Sequence, residues 1–198
     1  MIYVGVYIGW GISIYKRVIQ KSVRNVLIFI AELIIFWFVV RTTKYFFTMD
    51  NQIARYLWYS YYIPMLFIPV AVLQAAFFLG KSEEYRLPKW LKGVYIPTAV
   101  LVLLVLSNDL HQLVFSFPVG SAWSDSHYTY GWGYYVVLVW EVVCALTAFV
   151  LMIYKCRHSQ KKKYLPLFGI GAAVLYAVLF ISGVAWVQEI GGDITAVL

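Results

Sequence analysis

Long apolar runs separated by short polar gaps set the pattern of this chain. The runs lie at about 1–15, 25–41, 56–79, 93–115, 131–154 and 164–188, and crossing a hydrocarbon layer of ~30 Å takes about twenty helical residues. Six transmembrane helices follow as the expectation, in an all-α polytopic membrane bundle forming one transmembrane sensor-type domain over residues 1–198. The first run is short and would need Val18 and Ile19, with Lys16 and Arg17 snorkelling to the headgroups. After Gly191 and Gly192 the chain turns apolar again at residues 194–198, which reads as the start of a seventh helix, cut short.

The gaps differ in charge, and this gives an orientation. Lys16, Arg17, Lys21 and Arg24 fill the first gap; Lys81, Arg86, Lys89 and Lys92 the third; Lys155, Arg157 and residues 161–163 the fifth. The second holds only Arg41, Lys44 and Arg55, and the fourth holds none. Because cytoplasmic loops collect Lys and Arg, the odd gaps are expected inside and the N-terminus outside. The tail after residue 188 would then lie outside, and a seventh helix would return the chain to the cytoplasm.

Composition agrees. With 63% hydrophobic and 13% charged residues, the chain has too little polar surface to coat a soluble globule. Its net charge of +7 is accounted for by loops beside anionic headgroups, so the lipid bilayer is the expected partner and nucleic acid is not. No basic stretch precedes the first run, so no cleavable signal peptide is expected. Cys144 lies within a run and Cys156 in a gap, at different depths, which argues against a disulfide.

Within the runs, Pro64 and Pro69 predict a bent third span. Gly169, Ala173 and Ala177 in the sixth, and Cys144, Ala145 and Ala148 in the fifth, make smooth faces for close helix packing. Tyrosines and tryptophans near the outer ends, among them Tyr56, Trp58, Tyr59, Tyr128 and Tyr134, fit the interfacial aromatic belt.

Two carboxylates, Glu32 and Glu141, interrupt the apolar runs with no Lys or Arg at matching depth. Such residues cost several kcal/mol as ions and usually face the bundle interior or a cavity, so both are candidate intramembrane polar or proton-sensing residues, protonated or bonded to neutral partners. The fifth-span small residues share a helix face with Glu141, pointing it at a close neighbour.

The densest polar cluster is Ser107-Asn108-Asp109-Leu110-His111-Gln112, at the outer end of the fourth span. If that helix continues, Asn108, His111 and Gln112 share a face and Asp109 reaches Gln112. Trp123, Asp125 and His127 follow in a stretch without Lys or Arg. Asn108, Asp109, His111, Gln112 and Trp123 are therefore the candidate ligand-binding residues of an outward-facing pocket. A metal centre from Asp109, His111 and His127 lacks any familiar ligand spacing, and a hydrolase built from Ser107 or Ser116 with His111 lacks a complete set. No catalytic residue, metal or cofactor is expected.

Several segments together carry a resemblance: Arg55-Tyr56-Leu57-Trp58-Tyr59, Tyr62-Ile63-Pro64-Met65, Tyr85-Arg86-Leu87-Pro88-Lys89-Trp90, Tyr95-Ile96-Pro97, residues 107–115, and Gly133-Tyr134-Tyr135. From about residue 24 onward the chain resembles the N-terminal seven-helix membrane region of bacterial sensor histidine kinases, clostridial type, with Asn108-Asp109-Leu110-His111-Gln112 as its most specific motif. The resemblance implies a sensory module in the bacterial plasma membrane, joined in the full-length protein to a cytoplasmic signalling domain, with a homodimer as a possible assembly. Most of helix seven and every kinase motif are missing from the pattern, so no enzymatic activity is implied for this chain. The expected stimulus is a small molecule, a proton or a membrane state engaging Asn108 to Gln112, with the shift passing by Glu141 and the bent third helix. A small proton- or cation-coupled transporter or channel subunit, using Glu32 and Glu141 as a relay, is the alternative; no inverted repeat supports it.

Overall fold

The computed structural model describes residues 2–18, 20–46, 51–118 and 128–157. The sixth run, the start of a seventh helix, Trp123, Asp125, His127 and the small-residue face at Gly169 lie outside these residues. Among the described residues the helices are α1 Ile2–Arg17, α2 Lys21–Phe46, α3 Asn51–Tyr59, α4 Tyr62–Phe78, α5 Lys89–Gly93, α6 Tyr95–Leu106, α7 Asn108–His111 and α8 Trp132–Arg157. A two-residue strand, β1 Phe115–Ser116, pairs antiparallel with β2 Thr129–Tyr130.

Four segments are long and apolar enough to cross a membrane among the described residues: Lys21–Lys44, Gln52–Phe78, Lys89–Leu106 and Trp132–Lys155. At 16 residues, α1 rises ~24 Å.

The Gln52–Phe78 segment is the axis of the bundle. Its apolar window is 61% buried, against 22% to 33% for the other three, and α4 packs against α2, α6 and α8. Ala71, Ala75 and Ala76 are completely buried, since methyl side chains let the neighbouring backbones come close.

This third span is broken rather than smoothly bent. Pro64 has no N–H for the Ser60 carbonyl, which accepts instead from Ile63 N at 3.2 Å, while Tyr61 N turns to Trp58 O at 3.1 Å. Hence α3 ends at Tyr59 and α4 starts at Tyr62, with Pro69 further along inside α4. The fourth span is also shorter than its apolar run: α6 stops at Leu106, a single further turn forms α7, and residues 115–116 are extended. The expectation of a helix through residue 115 is corrected here.

Two core clusters lie at opposite ends of the bundle. One gathers Val26, Ile30, Ala75, Leu91, Ala148 and Met152; the other gathers Tyr59, Tyr62, Leu66, Val105, Phe115 and Tyr134. The connections alternate between these ends as the charge pattern requires. At the first, Gln20 Nε2 reaches Lys81 O at 3.4 Å, and Lys155 Nζ donates to Ala76 O and Phe77 O at 2.9 and 2.8 Å. At the second, Arg55 pairs with Asp109. The basic first and third gaps and the end of α8 thus share one end.

Lys155 closes the C-terminus of α4, where unpaired carbonyls and the helix dipole both favour a cation. Lys155→Met, which keeps the aliphatic stem, should lower stability by about 1–2 kcal/mol, and Lys155→Arg should lose less. Thermal unfolding in detergent checks both; equal midpoints for Lys155→Met and the parent chain would refute the cap.

Candidate functional site

The site grows from the point where α6 runs out. Ser107 Oγ turns back to donate to Leu103 O at 2.7 Å, satisfying a helix-end carbonyl with its own side chain. One turn later Gln112 takes a left-handed conformation, φ 49°, and its N–H closes on Asn108 O at 2.7 Å. The chain then leaves helical geometry among apolar side chains, where each backbone group needs a partner.

Asn108 supplies most of them. Its side chain is fully buried; Oδ1 accepts from Val114 N and Phe115 N, each at 3.0 Å, while Nδ2 donates to Phe115 O at 2.8 Å and to the Tyr59 hydroxyl at 3.2 Å. Two donors and two lone pairs are the full capacity of a carboxamide. The arrangement also fixes the amide orientation, because the two backbone N–H groups require an oxygen.

From Asn108 the hydrogen bonds run outward. Tyr59 Oη donates to Asp109 Oδ1 at 2.8 Å, and Asp109 Oδ2 meets Arg55 Nη2 at 2.9 Å. The Arg55 and Asp109 side chains are 26% and 19% exposed, so the series begins near the surface and ends in the core. Asp109 does not reach for Gln112 as helix continuation predicted; the break at Ser107 turns it toward α3, and Gln112 is exposed.

His111 is bonded internally on both ring nitrogens. Nδ1 accepts from Leu113 N at 3.0 Å, so the proton sits on Nε2, which faces Leu104 O at 3.1 Å and Ser107 Oγ at 3.2 Å. The nitrogen beside Ser107 therefore carries hydrogen and cannot act as its base, which removes the hydrolase arrangement. Among the described residues no group of three His, Cys, Asp or Glu is placed to hold a metal.

The turn is clamped from the far side by α8 and the strand before it. Gly131 N donates to Val114 O and Gly133 N to Leu113 O, both at 2.9 Å. A Cβ at Gly131 would stand 2.1 Å from Leu113 O, so only glycine fits there. Phe115, fully buried, sits in an aromatic shell: Trp58 at 4.6 Å, Tyr128 at 5.4 Å, Tyr62 at 5.6 Å and Tyr134 at 6.0 Å between ring centroids.

The intramembrane carboxylates part company. Glu141 is 2% exposed, on the α8 face with the buried Cys144, Ala145 and Ala148; its Oε1 has no hydrogen-bond partner among the described residues. Tyr62, Tyr134 and Cys144 lie within its electrostatic reach. Glu32 is exposed, on a stripe of α2 with Asn25, Phe36 and Val39. The expectation of an interior position does not hold for it within the described bundle.

Arg55 and Tyr59 are members of the site that the sequence reading assigned to a loop count and an aromatic belt. Their four-residue spacing, one face of a helix, was the available signal. The spacing of Gly131 and Gly133 was another.

These features define a polytopic helical membrane protein with a bonded polar network closing one end of its bundle. The family described as the N-terminal 7TM region of histidine kinase matches residues 1–198, and the chain belongs to it. That region is the sensory membrane part of a signalling protein, distinct from the kinase's catalytic domain. Comparison with curated proteins and with solved structures gives no match.

Asn108→Leu would strand Val114 N, Phe115 N and Phe115 O in the core, and a buried orphan costs about 1–3 kcal/mol. The variant should lose at least roughly 3 kcal/mol of stability by these figures, with Asn108→Asp, which keeps acceptors but not donors, in between. Unfolding midpoints in detergent test the order; no loss in Asn108→Leu would show that the turn is held by other means.

Proposed function

We propose that this region detects an extracytoplasmic or intramembrane stimulus at the end closed by Asn108 and relays it to a cytoplasmic output domain in the full-length kinase. The observation that carries the reading is the continuous series Arg55–Asp109–Tyr59–Asn108, which joins a partly exposed ion pair to a fully buried amide. In the positive-inside orientation the basic connections face the cytoplasm of a bacterial plasma membrane, so this end faces out. The six-span count with a seventh returning inside belongs to the same proposal, as does a homodimeric assembly.

Roles divide by exposure. Asp109 and Gln112 are placed to meet a ligand, and Trp123 is their proposed neighbour from sequence. Asn108 and His111 act as positioning residues, since their polar atoms are taken up internally. A ligand that competes with Arg55 for Asp109, or a proton that neutralises Asp109, frees the Tyr59 hydroxyl and with it one of the four bonds of Asn108. Such a stimulus acts only through its different affinity for the two arrangements.

A second reading has one observation of its own. Buried Glu141, whose Oε1 has no partner among the described residues, suits a proton- or cation-coupled transporter or channel subunit, with Glu32 as the further carboxylate.

In the full-length kinase, Asp109→Asn and Arg55→Gln should each shift the stimulus response of autophosphorylation by roughly tenfold, a typical coupling between sites, with the unfolding midpoint nearly unchanged. His111→Ala should shift both. Responses identical to the parent in all three would refute the sensory role of this end, and proton-coupled uptake in liposomes that is lost in Glu141→Gln would favour transport.

A further inference from the structure

The basic end of the bundle holds a cavity of about 430 Å³ between α2, α4 and the connection from Tyr85 to Lys92. Val26, Phe29 and Phe78 supply apolar wall, and Asn25, Arg86 and Lys92 supply polar and charged wall. Arg86 and Lys92 are exposed, and neither is paired with a carboxylate among the described residues.

Gln74 projects into the same space with a defined polarity. Tyr95 Oη donates to Gln74 Oε1 at 2.8 Å, so the oxygen is occupied and the Nε2 hydrogens are what the amide offers the cavity. The polar side of the cavity is therefore a set of donors and cations: a guanidinium, an ammonium and two amide groups. Its depth matches the headgroup layer, for Asn25 is in the first two turns of α2 and Phe78 is the last residue of α4.

We propose that this cavity is a binding site for an anionic phospholipid. The phosphate meets Arg86 and Lys92, the glycerol region rests on Val26, Phe29 and Phe78, and the acyl chains leave along the apolar helix surface. Arg86 donates to phosphate oxygens through a planar fork, and Lys92 adds a point charge. A basic cleft between membrane helices at the cytoplasmic headgroup level is the chemistry that selects anionic over zwitterionic lipid. The volume suits a head group with its glycerol and is too small for a whole lipid. Occupancy would bridge α2 and the connection from Tyr85 to Lys92, adding to the apolar contact made there by Leu87 and Leu91.

The test uses the full chain, purified in a neutral detergent and titrated with phosphatidylglycerol, phosphatidylcholine or inorganic phosphate, with binding read by native mass spectrometry and by thermal unfolding. Phosphatidylglycerol should be retained and raise the unfolding midpoint, and the double variant R86Q/K92Q should weaken its binding about tenfold. K89Q, outside the cavity, should leave binding unchanged, and S22W should block the cavity with the cations intact. Equal losses in K89Q and R86Q/K92Q would reduce the effect to general surface charge and overturn the site. Inorganic phosphate binding as tightly as phosphatidylglycerol would overturn the lipid assignment in favour of a free anion. Should R86Q/K92Q fail to fold, R86K, which keeps charge and loses the fork, together with S22W decides the matter: undiminished lipid retention in S22W overturns the proposal.

Discussion

A fully bonded carboxamide in an apolar setting is the constraint on which the Asn108 end of the bundle rests. Three consecutive residues, Leu113 to Phe115, leave helical geometry where no helix hydrogen bonds serve them. Each of their backbone polar groups nevertheless has a partner. The N–H groups go to His111 Nδ1 and Asn108 Oδ1, and the carbonyls receive Gly133 N, Gly131 N and Asn108 Nδ2. Non-helical backbone at such depth is tolerated only when it is satisfied this completely. Removing any donor therefore unsettles the whole turn, because the remaining partners have no water to turn to.

That turn is also where separate pieces of the chain meet. Pro64 divides the third span, so that α3, with Arg55 and Tyr59, is not a rigid extension of α4. α3 packs along α2 and is tied across the site by Tyr59 and Trp58 through their contacts with Asn108, Asp109 and Phe115. α4 is fixed by the burial of nearly every residue from Pro69 to Ala76 against α2 and α8. The proposed sensing requires an element with two positions, and α3, set off from α4 at Pro64 and carrying Arg55 and Tyr59, is where the proposal puts it.

Much of the architecture was legible in the sequence, because alternating charge and apolar runs are set by the bilayer rather than by tertiary detail. The Asn108 to His111 motif was legible too, as polar residues placed too deep for an ordinary loop. The break at Ser107 was not. Leu113, Val114 and Phe115 are as apolar as a helix would require, and only three-dimensional partners distinguish a buried turn from another helical turn. Arg55 and Tyr59 were hidden for a related reason: each has a sufficient ordinary explanation, as an outer-loop cation and an interfacial aromatic. Glu32 and Glu141 looked alike in sequence since hydropathy records depth and not direction. The exposed stripe through Asn25, Phe36 and Val39 separates them.

Glu141 and the Asn108 network border one aromatic cluster. The carboxyl lies within reach of Tyr62 and Tyr134, both of which pack on Phe115, and Phe115 is the residue whose backbone Asn108 holds on both sides. Contact continuity gives only a route; a coupling would be the free-energy difference between two arrangements that both sites bias. Glu141 Oε1 has no partner among the described residues, whereas every hydrogen-bonding position of the Asn108 amide is filled, so the two polar groups bordering one aromatic cluster differ in what remains for them to bond.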